Sequence, residues 1–123
     1  MRRSKPTITW STFVHAFQGL KTAFSEQFNF KIHFLFAFFA LLASWFFSLG
    51  APKFLFILLA IFLVFITELF NSSIEYLSDA VTKEFHPLIK KAKDVAAGAV
   101  LLSACLAVII GLVIFLPYLK GLL

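Results

Sequence analysis

One cysteine, Cys105, is present, so the chain can build neither a disulfide framework nor a cysteine-based metal site. It lies in an apolar stretch and reads as packing. No Gly-x-Gly-x-x-Gly run occurs. The nearest approach to a phosphate loop, Gly19-Leu20-Lys21-Thr22, lacks the spacing Gly-x-x-x-x-Gly-Lys-Ser/Thr that cradles phosphates. The start, MRRSKPTITW, is polar and basic with no apolar run until residue 32, so a cleavable signal peptide is not expected. Linkers and internal repeats are lacking too, and 123 residues allow one domain at most. Charge is scarce, at 14%. The net charge is +5, but its basic residues interleave with apolar segments instead of forming a face, which argues against nucleic acid as a partner.

What is abundant is hydrocarbon. Apolar residues make up 61% of the chain and 18 of them are Phe, which suits a bilayer better than water. Residues 32–49 are long enough to cross a core of about 30 Å as a helix, with only His33, Ser44 and Ser48 as polar interruptions. Gly50, Ala51, Pro52 and Lys53 then read as a tight turn. A second span is expected over residues 54–82, beginning with the apolar run FLFILLAIFLVFI, and a third over residues 88–117, uncharged from Val95 to its end. Ahead of them, Trp10, Phe13, Phe17, Leu20 and Phe24 recur at steps of three and four. That stripe predicts an amphipathic helix over residues 10–26, lying in the membrane surface. The fold expected is therefore an all-α membrane protein of three transmembrane helices plus an N-terminal amphipathic surface helix.

Basic residues set the orientation. Nine of the 11 lie on the side shared by the N-terminus and the second loop, against Lys53 and Lys120 on the other, which predicts a cytoplasmic N-terminus. Membrane phosphates are the partner this charge suits. All six acidic residues, Glu26, Glu68, Glu75, Asp79, Glu84 and Asp94, fall on the cytoplasmic side, where nucleotides are found.

The stretch ELFNSSIEYLSD, residues 68–79, follows the second apolar run almost directly. With a start near Phe54, Glu68 lies about 21 Å along the helix, still within the inner-leaflet hydrocarbon, and Glu75 emerges near the headgroups at about 31 Å. Glu68, Asn71, Ser72, Glu75 and Asp79 share one helical face. An acid at bilayer depth costs about 2.5 to 3.5 kcal/mol on insertion scales, so Glu68 is expected to face the protein interior. It could merely bond neighbouring helices or snorkel. Several acids on one face instead point to a divalent cation, and carboxylate oxygens are what Mg²⁺ uses when it also holds substrate phosphates. Downstream, Pro87 favours a break and KEFHPLIKKAKD reads as a cytoplasmic turn into the third span. Lys90 and Lys91 read as interfacial anchors, whereas Lys93 is placed to neutralise a phosphate at the helix mouth. Ala96 to Ala99, AAGA, permits close helix approach. His15 and His33 read as interfacial side chains.

These residues resemble a known family. ELFNSSIEYLSD followed by EFHPLIKKAKDVAAGAVLL is similar to the signature of the small prokaryotic integral-membrane lipid kinases, the diacylglycerol kinase and undecaprenol kinase family. The resemblance runs from Phe13 to about Leu116. It implies a homotrimer with active sites shared between subunits, a bacterial inner-membrane location, and ATP, a membrane lipid alcohol and Mg²⁺ as the reacting partners. It further implies that Glu68 is the general base, that Glu75 binds metal, and that Asn71, Glu84, His86, Lys93 and Asp94 serve ATP binding and active-site organisation. A second metal-binding glutamate falls on Gln27 by gap-free counting, with Glu26 one residue earlier, and Glu26 is the expected ligand. The arginine some members carry near the start of the surface helix falls on Ile8, leaving Arg2, Arg3 or Lys5 as substitutes.

The activity expected is ATP-dependent phosphorylation of undecaprenol, with diacylglycerol as the alternative acceptor. NFKIH, HPLIKKAKD and IFLPYL look more like the undecaprenol branch. Two other classes compete: a small ion-conducting subunit, which predicts acids through the whole membrane depth, and a non-catalytic scaffold, in which Glu68 is replaceable.

Overall fold

Four helices follow the hydropathy pattern in the computed structural model, which describes residues 8–123: α1 (Trp10–Glu26), α2 (Phe28–Phe46), α3 (Ala51–Val81) and α4 (Pro87–Gly121). Arg2, Arg3 and Lys5, the suggested substitutes for the family arginine, lie outside the described residues. The last three helices are each long and apolar enough to cross a membrane.

The corner between α1 and α2 is a single residue, Gln27, in extended backbone (φ −99°, ψ 112°). Its N–H still bonds the Ala23 carbonyl at 2.9 Å, so the chain turns without losing that helical bond. Phe24 braces the corner by edge-on contact with Phe34 (5.4 Å) and Phe30 (6.5 Å), and Phe30 in turn meets Phe65 of α3 at 4.9 Å.

The helix ends differ from the sequence expectation. α2 starts at Phe28, ahead of residue 32, because Asn29 and Lys31 are exposed and cost nothing inside an interfacial first turn. It stops at Phe46, short of residue 49. Ser48 takes a left-handed conformation (φ 52°), letting Ser48 N–H reach the Trp45 carbonyl and Leu49 N–H the Ser44 carbonyl, both at 3.1 Å. The reversal therefore sits at Ser48 and not at Gly50, Ala51, Pro52 and Lys53. Pro52 lies in the first turn of α3, where a missing N–H is harmless. Similarly α4 starts on Pro87, capped by His86, so the lysines from Lys90 onward stand on the helix and the turn shrinks to residues 82–86. Pro117 does not end α4, which runs on to Gly121.

α3 packs chiefly on α4, with α2 against α3 and α1 touching both. Three contacts in reversed order along the chain make α3 and α4 antiparallel. Lys53 Nζ donates to the Tyr118 hydroxyl at 3.0 Å, Thr67 and Ser103 share a hydroxyl hydrogen bond of 2.7 Å, and Lys93 Nζ meets Asp79 Oδ1 at 3.2 Å. Interhelical bonds of the middle kind contribute about 0.6 kcal/mol on average in lipid. Glu68, Asn71, Ser44, Ser72, Ser78 and Ser103 are buried, while Phe and Leu side chains of all three long helices are exposed. An interior this polar with an oily surface is the distribution a bilayer selects.

Candidate active site

α3 has 31 residues and so runs about 46 Å, longer than the hydrocarbon it crosses, which leaves its last turns outside. Glu68 lies before that exit. It is only 2% exposed, the most buried large side chain of the described residues. His33 Nε2, from α2, stands 3.5 Å from its Oε2, within ion-pair range. Among the described residues the carboxylate accepts no hydrogen bond. Thr67 beside it is committed to the Val64 carbonyl (3.0 Å) and to Ser103. His33, read from the sequence as an interfacial side chain, stands beside the acid, whereas His15 is exposed and contacts Gln18 at 3.3 Å.

One turn on, Asn71 is buried and its Nδ2 donates to Glu75 Oε1 at 3.5 Å. Ser72, 2% exposed, has a hydroxyl with no hydrogen-bond partner among the described residues. Small residues of α1 (Gly19, Thr22, Ala23) face Ser72, Ser73 and Tyr76 across a cleft of about 380 Å³. The Tyr76 hydroxyl donates to Glu26 Oε2 and accepts from Gln27 Nε2 at 3.1 Å. Both candidate residues at the end of α1 therefore reach the same hydroxyl, one position from Glu75. On the opposite side Lys91 lines a cleft of about 610 Å³ between α3 and α4 together with Asn71, a placement the anchoring role does not describe.

Lys93 pairs with Asp79, and Lys90 with Asp94 at 2.6 Å, both ion pairs partly exposed. Glu84 is exposed in the connection, its N–H held by the Thr82 hydroxyl at 3.1 Å. His86 Nδ1 accepts from Leu88 N–H at 3.2 Å and so caps α4. Within one chain the residues form two groups: Glu68, Asn71, Glu75 and Glu26 around α3 and the end of α1, and Asp79, Lys93 and Asp94 near the α3–α4 turn. Eleven residues of helix, about 16 Å, separate Glu68 from Asp79.

Three or more His, Cys, Asp or Glu side chains converge nowhere among the described residues. Glu26, held by the Tyr76 hydroxyl, and Glu75, which precedes Tyr76 on α3, offer carboxylates of the kind Mg²⁺ takes, commonly one or two with water and phosphate oxygens completing its shell. Periodicity gave no sign of His33 or Tyr76, since both act across helices.

A family model described as prokaryotic diacylglycerol kinase matches residues 14–115. The chain is 42% identical over 109 residues to undecaprenol kinase of Bacillus subtilis, covering 88% of each protein. It is 40% identical over 113 residues to diacylglycerol kinase of Synechocystis, covering 91% of this chain and 65% of that one. Diacylglycerol kinase of Escherichia coli is 28% identical over 95 residues, 77% of this chain and 78% of that one. A match over this much of its length, on a scaffold of three apolar helices with an acid buried between them, means that the chain belongs to the prokaryotic diacylglycerol kinase family of membrane lipid kinases.

Proposed function

We propose that the chain transfers the γ-phosphoryl group of ATP to a lipid alcohol at the cytoplasmic face of the bacterial inner membrane, with undecaprenol as acceptor. Diacylglycerol is the second reading, supported by the names of the other relatives. The observation that carries the proposal is Glu68, a carboxylate 2% exposed and short of hydrogen-bond donors. Burying such a group is costly unless something donates to it. A lipid hydroxyl supplies that donor. Glu68 orients the hydroxyl and takes its proton as the alcohol oxygen bonds to the γ-phosphorus and the bond to the bridging oxygen of ATP breaks, releasing ADP.

Glu75 and Glu26 would hold Mg²⁺, with Asn71 steadying Glu75 and Tyr76 steadying Glu26. When bound, the ion would offset charge on the phosphates. Lys93 leaves Asp79 to meet the nucleotide, an exchange of one half-exposed ion pair for another. Asp94, Glu84 and His86 shape the same mouth. α1 lies in the membrane surface with Trp10, Phe13 and Phe17 toward the lipid, and three copies assemble into a trimer.

The test is transfer of label from γ-labelled ATP, with Mg²⁺, to undecaprenol or diacylglycerol by purified protein in lipid. Label is expected in undecaprenyl phosphate, and Glu68→Gln is expected to lose about 10²- to 10⁴-fold in rate. No transfer to either alcohol, or full transfer by Glu68→Gln, would overturn the reading.

A further inference from the structure

Glu68 needs more than a substrate; it needs a fixed direction. Its neighbours on α3 do not supply one, since Thr67 is committed elsewhere and the Ser72 hydroxyl makes no hydrogen bond among the described residues. Asn71 is spent on Glu75 and Lys93 on Asp79. His33 is the remaining polar group beside the carboxylate, at 3.5 Å from Oε2, with its side chain 21% exposed. A protonated Nε2, on a neutral or a cationic ring, can only donate toward that oxygen. Oε2 is then held toward α2, and the second carboxylate oxygen is left to receive a hydroxyl.

His33 has a second surface. It lines an apolar groove of about 590 Å³ between α2, α3 and α4, bounded by residues such as Phe36, Ala40, Ala60, Val64 and Gly111, and it is the one polar side chain in that lining. The imidazole thus stands between the oily groove and the buried acid.

We infer that His33 is the positioning residue for Glu68, orienting its carboxylate toward an alcohol whose hydrocarbon lies on the apolar side of the imidazole. The inference rests on Glu68 being the proton acceptor of the proposed kinase reaction. It predicts a loss in the chemical step and not in nucleotide binding, because the ring pairs with Glu68 and, among the described residues, no hydrogen bond or ion pair joins it to a nucleotide-binding candidate.

The experiment measures undecaprenol phosphorylation with full-length protein in lipid, varying ATP. His33→Leu, which fills the space without a donor, is expected to lower kcat by at least about tenfold, the effect of removing one donor from a buried carboxylate. The KM for ATP is expected to stay within about twofold. His33→Gln keeps an N–H donor of comparable reach and recovers most of the rate. In a Glu68→Gln background, His33→Leu adds less than about twofold, since the residue acts through the acid that is gone. Wild-type kcat in His33→Leu beside an inactive Glu68→Gln sinks this inference and leaves the kinase reading standing. Losses that multiply in the double variant, or a His33→Leu protein with a lowered melting temperature that His33→Gln does not restore, reassign His33 to helix packing and also overturn it. A wild-type chain that labels no lipid alcohol removes the function and the inference together.

Discussion

At the scale of single residues, this interior is organised by what its polar groups lack. Ser72 is 2% exposed and its hydroxyl is unpartnered among the described residues. A buried hydroxyl left so costs about 1 to 3 kcal/mol, so Ser72→Ala is expected to leave the melting temperature in detergent unchanged or raised. A clear fall would mean that the hydroxyl has a partner in the assembled protein. The sequence made the Glu68, Asn71, Ser72, Glu75 and Asp79 face legible because helical periodicity alone sets which side chains share a side. It also required Glu68 to turn inward, since an acid at that depth has no stable place against acyl chains, and the side chain is buried. His33 and Tyr76 were not legible. Each meets its partner across two helices, and the angle at which helices cross is decided by packing that no periodicity records.

Elements follow the same division between local and tertiary causes. An all-helical chain with three long apolar helices could be read from uninterrupted hydropathy, because backbone groups in lipid must be satisfied within their own segment. The helix ends could not. Gly50 and Pro52 are strong breakers by type, but the chain reverses at Ser48, whose left-handed backbone closes two carbonyls at the end of α2, and Pro52 starts the next helix instead. A serine there bears strain that glycine does not. Ser48→Gly is expected to raise stability by about 0.5 to 1 kcal/mol, read as a higher melting temperature with unchanged helical circular dichroism. A lower melting temperature would show that the Ser48 side chain has a role in the assembly that outweighs its backbone.

At the scale of the whole molecule, one chain holds its polar groups apart. Phe and Leu side chains cover its outside, which lipid and neighbouring copies can share. Glu68 and the Lys93–Asp79 pair stand about 16 Å apart along α3, too far for one chain in this arrangement to place both groups on a single γ-phosphoryl. A second copy resolves the mismatch: if the proposed trimer lends Lys93 of one subunit to the Glu68 of another, a site can be assembled from two damaged chains. Glu68→Gln and Lys93→Met subunits, each expected to be nearly inactive alone, are therefore expected to regain measurable undecaprenol phosphorylation when unfolded, mixed and refolded together, since some mixed assemblies pair an intact Glu68 with an intact Lys93. The regained rate should follow the mixing ratio and peak near equal amounts. Mixtures that stay as inactive as their parents, while assembling at three times the 13.9 kDa chain mass, would place both residues in one subunit and require α4 to move along α3 before the phosphoryl group can transfer.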